Sequence, residues 1–392
     1  MKIVIFNDQP ELLYPLTRLR PTWEVNVGGR SLAKGISERF LKAKLAFEQN
    51  SLPPVKKMAA RQRPLQKDYE YTLRLNGRLL PNDQLFKFIE HCLKHEVKTS
   101  LKRKGVILLQ GLDGQESKRK VSAKNIELLQ APWDLISYHD EILLQELNTK
   151  CLISNFNEVR PGVFTAKDIK LPQTCLTRTG QGQIIIEKGV SIGDYTILEG
   201  PLLIEAGVLI HDYAKISASR VGKISKVNGE ILHVNFYEYG NKQHAGFAGY
   251  SVFGAWANLG GGTTTSTLKN TLGTIKMNNG TLIQDTKLAL ASSILGDFCK
   301  TGVNASLMPG LVADICAHLY GTVKGFTPAF TNNVNGQLTE LPLKIALKAN
   351  ERSMQRRQVR LNFFSKKQLI KTFKQTEADR KKLKAKKGKL EL

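Results

Sequence analysis

Residues 186–217 read IEKGVSIGDYTILEGPLLIEAGVLIHDYAKIS, and their period decides the fold. Ile186, Ile192, Leu198, Ile204, Ile210 and Ile216 fall six residues apart without a slip. If roughly a quarter of positions were aliphatic, six such hits would arise by chance on the order of once in 4,000 trials per frame. The residue after several of them is small or acidic (Glu187, Gly193, Glu199, Glu205), and the fourth one on is small or aliphatic (Val190, Thr196, Leu202, Val208, Ala214). An α-helix repeats at 3.6 and a pleated strand at 2, so neither gives this beat. A period of six belongs to hexapeptide β-helix repeats, in which each hexad is one short strand and turn on a triangular prism.

The beat returns at Phe247, Phe253 and Leu259, and again at Leu295, Thr301, Leu307, Ala313 and Leu319. It lapses over Lys223–Gln243 and Thr264–Ile294. These lapses read as loops thrown out from the prism, which either carry function or cap and pack against neighbouring subunits.

Upstream, residues 1–150 alternate in character. Lys2–Phe6, Tyr71–Leu80 and Gly105–Gln110 read as strands; Leu32–Glu48 and Asp83–Lys94 have helical spacing; Glu127–Glu146 mixes both. That alternation predicts an α/β domain with a largely parallel, Rossmann-like sheet. Ser51–Lys67, rich in Pro, Lys and Arg, reads as a surface excursion. The expected organisation is an α/β domain over 1–150, a connection over 151–181, a β-helix over 182–335 and a helical, basic tail over 336–392.

The net charge of +24 in 392 residues is unevenly placed. Residues 344–392 hold 17 basic and 4 acidic side chains, so more than half of the excess sits in the last eighth of the chain. Nucleic-acid binding therefore does not follow from the total. The run from Arg380 to Lys389 reads as too charged to bury, either a solvated tail or a contact for an anionic partner. Five scattered cysteines without a CxxC pair argue against a disulfide framework and a thiolate zinc site, and favour a reducing, cytoplasmic setting. No metal site is expected from the side chains, and no apolar run of 18 residues is present to span a membrane.

The chemistry concentrates around one histidine. His244 follows Asn241 and Lys242 and precedes Gly246 and Gly249. Moving an acyl group from a thioester to an amine requires a base for the amine proton, and imidazole suits that task. Asn258 can bond an acceptor or polarise a carbonyl. Lys242 and Lys269 are candidate phosphate contacts, although solvation alone explains an exposed lysine equally well.

His244-Ala-Gly-Phe-Ala-Gly249, Gly254 and Asn258-Leu-Gly-Gly-Gly-Thr263 resemble the acetyltransferase half of the bifunctional N-acetylglucosamine-1-phosphate uridyltransferase/glucosamine-1-phosphate acetyltransferase. Ile3–Phe6, Leu16-Thr-Arg-Leu-Arg-Pro21, Leu75–Pro81, Ala131-Pro-Trp-Asp134 and Leu268-Lys-Asn270 resemble a bacterial sugar nucleotidyltransferase variant of that enzyme. The resemblance covers roughly 1–365 and implies a left-handed β-helix, a homotrimer and acetyl-CoA or another acyl-CoA as donor. It makes His244 the general base and places Asn258, Phe247 and Gly261 in the acceptor site. Phe247 stands where the family has tyrosine, which removes one hydroxyl from that site.

The first domain departs from the family more strongly. Asn7-Asp-Gln-Pro-Glu11 lies where a glycine-rich phosphate loop belongs, and Asn76 where a metal-binding Asp is expected. An NTP with Mg²⁺ would then depend on Arg18, Arg20 and Arg30 for its phosphates. Three readings follow: an acyltransferase of amino sugars joined to a nucleotidyltransferase-like domain, a nucleotidyltransferase with the β-helix as trimerising scaffold, or a noncatalytic assembly protein.

Overall fold

A computed structural model describes residues 1–48, 71–97, 100–103, 106–112, 126–153 and 155–388. The excursion expected over Ser51–Lys67 lies outside the described residues. The N-terminal sheet runs β2–β1–β3–β5–β4, built from β1 (Lys2–Phe6), β2 (Lys44–Phe47), β3 (Thr72–Asn76), β4 (Ser100–Arg103) and β5 (Val106–Leu112). β1, β2 and β3 are parallel, whereas β5 pairs antiparallel with both β3 and β4. The sheet is thus mixed and not largely parallel. Too few residues separate β4 from β5 for the crossover that a parallel pair needs.

Helix α1 (Leu32–Arg39) is capped by the Ser31 side chain and α2 (Asp83–Lys94) by that of Asn82. α2 turns Leu85, Phe86, Ile89, Cys92 and Leu93 onto the sheet. α3 (Asp134–Ser137) and α4 (His139–Ile153) carry the chain onto the β-helix.

The hexad residues do what their period requires. Ile186, Leu198, Ile204, Ile210 and Ile216 are fully buried in one continuous core, with Ile192 packed at its edge. Parallel strands stack into three faces of a left-handed β-helix of about ten turns. One face stacks 184–186, 202–204, 219–221, 234–236, 251–253, 293–295 and 311–313. This first face is buried on both sides, apolar in its outward row except at Arg220 and Asn235, because the N-terminal region covers it: Leu143 and Leu147 of α4 pack on Ile185 and Leu203, and Leu13, Leu16 and Trp133 join a cluster with Ile294 and Val312. A sheet buried on both faces reads as a continuous apolar run, as Ile184-Ile-Ile186 does.

Lys44–Phe47, read as helical within Leu32–Glu48, is strand β2 beside β1, and three later segments also differ from the reading of the sequence. Residues 151–181 do more than connect, since Val163–Thr165 and Leu176–Arg178 already pair with the β-helix strands. Lys223–Gln243 is a regular coil, with Val227, Ile231, Val234 and Phe236 inside; its shortened turns, with left-handed backbone at Ile224, His233 and Tyr239, break the six-beat without expelling a loop. Thr264–Ile294 holds the true excursion: its ends, Thr264–Thr265 and Ser293–Ile294, stay in the prism, and the chain between them carries an antiparallel hairpin whose Ile275 and Met277 pack beside Leu13 and Leu16.

The basic C-terminal region forms α5 (Leu343–Gln355), α6 (Phe363–Gln375) and α7 (Glu377–Lys382). Leu341, Ala346, Met354 and Leu369 close the end of the prism against Ile315 and Phe330. Arg380, expected in a solvated run, is buried: Nε donates to Glu340 at 2.8 Å and Nη2 to the Phe373 carbonyl at 2.8 Å. A carboxylate and carbonyls in place of water make that burial tolerable. Residues 389–392 lie outside the described residues.

Candidate active-site corner

His244 projects, exposed, from the corner between the second and third faces of the β-helix. The second face is a ladder in which Lys226, Asn241, Asn258, Lys300 and His318 occupy one register position on successive coils. The neighbouring slot points inward and is filled by Val227, then Lys242, then, on later coils, Thr301 and Leu319. A lysine therefore stands where the prism calls for an aliphatic side chain.

Its ammonium is fully used. Lys242 Nζ donates to the carbonyls of Asn228 (2.9 Å), His244 (3.1 Å) and Gly246 (2.8 Å), so three donors meet three acceptors under the corner. Burial pushes its pKa down to about 8. This contact corrects the expectation that Lys242 is a surface phosphate ligand: the side chain is 1% exposed and its protons are committed to the loop that presents His244.

Glycines make room around the imidazole. A Cβ on Gly261, on the next coil, would lie 3.4 Å from His244 Cβ, so its absence keeps the space beside the ring open. A Cβ on Gly229, on the coil before, would come within 2.5 Å of the Gly246 carbonyl and 2.8 Å of Lys242 Nζ. Its φ of +74° is also a conformation that other residues adopt at a cost. Phe247 is not an inward hexad residue; Ala248 takes that place, and the Phe247 ring lies over Gly249, where a Cβ would meet Cζ at 2.5 Å.

Asn258 lies on the second face and not at the tip of the corner. Its Oδ1 accepts from Asn241 Nδ2 at 2.7 Å, and with Tyr239 and Trp256 it lines a cleft of about 170 Å³. Lys269 sits apart in the excursion, where Nζ donates to the Thr274 carbonyl. His244, Gly261, Lys242 and Phe247 thus share one corner, Asn258 opens onto the adjoining face, and Lys269 is elsewhere.

The three arginines expected to receive phosphate are occupied. Arg18 donates to Asp314 at 2.9 and 2.6 Å, and Arg20 to both oxygens of Asp297 at 2.7 and 2.8 Å. Arg30 is fully buried against Glu146 (3.0 Å) and Asp83 (2.9 Å). Carboxylates already fill the positions that phosphate would take: Arg18 and Arg20 join the two halves of the chain through β-helix carboxylates, and Arg30 is tied within the N-terminal domain. Nor do the residues after β1 fit an NTP with Mg²⁺. Asp8 accepts from Arg78 Nη2 at 2.7 Å and from Asn76 Nδ2 at 2.9 Å, while Asn7 accepts from the Thr22 backbone and hydroxyl. Arg78 is wholly buried and also holds Gln9 and the Leu129 carbonyl. The loop is closed by its own side chains.

Comparison with known proteins gives the first half a family description. Residues 3–151 match the family described as sugar nucleotidyl transferase. No curated protein matches. Among solved structures, the chain is similar to a hexapeptide transferase family protein from Anaplasma phagocytophilum, at 13% identity over 49% of this chain and 88% of that one, with a TM-score of 0.22. It is also similar to AntD, an N-acyltransferase from Bacillus cereus in complex with dTDP-4-amino-4,6-dideoxyglucose and coenzyme A, at 17% identity over 53% and 94% of the two chains (TM-score 0.21). PerB from Caulobacter crescentus, in complex with CoA and GDP-perosamine, aligns over 87% of this chain and 97% of its own at 9% identity (TM-score 0.19). Among the described residues, no helix is long and apolar enough to cross a membrane.

Sequence reasoning found the corner but missed the second-face cleft and its cations, Lys226, Lys300, Arg356 and Arg357. The two lysines were readable as polar residues in the outward slot of a hexad. The arginines follow directly on α5, whose docking depends on tertiary packing.

Proposed function

We propose that the chain is an acyltransferase of a sugar-nucleotide pathway, moving an acyl group from acyl-CoA to the amine of an amino sugar or its phosphate. The observation that carries this reading is an exposed imidazole held on a glycine-lined corner by a buried ammonium. In the step, the acceptor amine attacks the thioester carbonyl, a C–N bond forms and the C–S bond breaks. His244 takes the proton from the amine, and coenzyme A leaves with its sulfur protonated in turn. The Gly261 gap gives the acceptor room beside the ring, and the amide of Asn258 supplies an orienting contact on the adjoining face.

In this reading the N-terminal domain is a docked scaffold. The Asp8–Arg78 pair and the three occupied arginines favour that role over nucleotidyl transfer. We further propose a homotrimer. The His244 corner carries exposed Tyr213 on an earlier coil and Val303 on a later one, and a neighbouring subunit would cover both. Sedimentation as a monomer at micromolar concentration would remove the shared site.

The test is thiol release from acetyl-CoA across a panel of free, phosphorylated and nucleotide-linked amino sugars. Release that requires one acceptor and yields its N-acyl product supports the assignment. A panel without any acceptor-dependent release contradicts it.

A further inference from the structure

Among the described residues, the cleft on the second face holds four cations and no counter-charge. Lys226 and Lys300 point outward from the β-helix ladder, on either side of Asn241 and Asn258. At a coil spacing of about 4.8 Å, they stand roughly 14 Å apart at the backbone. Arg356 and Arg357, at the end of α5, lean over the gap between them.

What these groups do touch is neutral. Lys300 Nζ lies 3.1 Å from Ser353 Oγ, and Arg357 Nη2 donates to Asn241 Oδ1 at 3.2 Å. Among the described residues none of the four forms an ion pair. Burial, and then neighbouring positive charge, pulls Lys226 and Arg357 below their ordinary pKa values: Arg357 and Arg356 act on Lys226, and Arg356 acts on Arg357. Burial pulls Lys300 down as well. Helix polarity explains the two arginines, since cations are favoured at a helix C-terminus. It does not explain two lysines of the β-helix that face them with no carboxylate between. The cleft is also too small for a folded partner or a duplex, and its remaining wall offers the Asn258 amide and the edges of Tyr239 and Trp256.

We propose that this cleft is a phosphate site, taking a diphosphate or phosphomonoester group gripped by Lys226 and Lys300 on one side and by Arg356 and Arg357 on the other. Phosphate oxygens accept from guanidinium and ammonium in the geometry that such a cluster offers. The bound group joins α5 to the β-helix, so it stabilises the C-terminal helices. Asn258 borders both this cleft and the proposed acceptor site, but the phosphate site does not depend on acyl transfer.

The experiment is calorimetric titration of the full chain, without acyl donor, using inorganic pyrophosphate, a nucleoside diphosphate and coenzyme A as separate probes. Arg356 is exposed and makes no side-chain bond among the described residues, so Arg356→Ala and Arg356→Glu are expected to fold. The site requires binding by at least one probe that weakens tenfold or more in Arg356→Glu and in Lys226→Ala, and weakens with added salt. Pyrophosphate binding as tightly as the other two identifies a free diphosphate as the ligand. Tighter binding by the nucleoside diphosphate or coenzyme A, lost in the same variants, identifies a carried phosphate. Absence of binding by all three probes, or binding unchanged in both variants, would overturn the proposal.

Discussion

Arg20 reaches across 277 residues of chain to donate to both carboxylate oxygens of Asp297, at 2.7 and 2.8 Å. With Arg18–Asp314 beside it, the pair ties the start of the N-terminal domain to two adjacent coils of the β-helix. Breaking a buried pair by removing one partner costs about 3–5 kcal/mol, because the remaining charge stays buried alone. Arg20→Ala is therefore expected to lower stability by about that amount in urea unfolding. Replacing both partners, as Arg20→Met with Asp297→Leu, is expected to cost much less. Equal losses in the single and double variants would show that the ion pair is not what matters there.

Lys242 gives a sharper separation of roles. A leucine or methionine at that slot matches the apolar interior, so Lys242→Met is expected to keep the fold, with a loss of stability of about 1–3 kcal/mol from the carbonyls it leaves unpaired. It takes the Lys242 donor from the Asn228 and His244 carbonyls, while Gly246 keeps the Glu230 N–H, and lets the His244 turn relax. A misplaced reacting group can cost on the order of 10²-fold in rate. The expected result is a fall in kcat with little change in the KM for acyl-CoA. Loss of folded protein in proportion to activity would assign Lys242 a purely structural role.

Two histidines set an acid limit. Burial holds the His139 pKa well below its ordinary value, with His233 adding to the effect, and burial with nearby Lys300 pushes His318 down to about 4. In the unfolded chain both ionise near pH 6.5. Below that pH the unfolded state binds more protons, so this contribution to stability is full above about pH 6.5 and is lost as pH falls toward 4. The slope is at most about 1.4 kcal/mol per pH unit for each group. Urea midpoints measured from pH 7 to pH 4.5 are expected to fall, and to fall less steeply in His318→Gln. A flat profile would mean that neither histidine is held neutral.

The loop after β1 yields a negative expectation. With Asp8 bound by Arg78 and Asn76, a mixture of NTP, Mg²⁺ and sugar 1-phosphate is expected to release pyrophosphate no faster than the buffer control. Turnover well above that background would restore the nucleotidyltransferase reading and require the loop to open.

Much of the β-helix was legible because one residue type recurs at one interval: Ile186 to Ile216 all face inward, as their period demands. Periodicity failed where the coil shortened, at Val227–Phe236, because the interior accepts any aliphatic residue that a turn delivers to it. The mixed order of the first sheet was decided by a connection too short for a crossover. At the candidate site, His244, Gly261 and Asn258 were visible as a motif. Lys242, Arg18, Arg20 and Arg30 were visible only as charges, and sequence carries no record of a partner 296 residues away, as between Arg18 and Asp314. A positive side chain reads as a ligand for anions until the fold supplies the carboxylate or carbonyl that it already holds.

The most direct test of the central claim compares wild type with His244→Ala in acyl transfer to the best acceptor of the amino-sugar panel, with the N-acyl product identified by mass. His244 is exposed and its side chain makes no hydrogen bond among the described residues, so the variant is expected to fold and assemble like wild type. The account predicts a fall in kcat of roughly 10²–10⁴ with coenzyme A binding nearly unchanged. A variant that assembles normally and turns over its acceptor at the wild-type rate would contradict it.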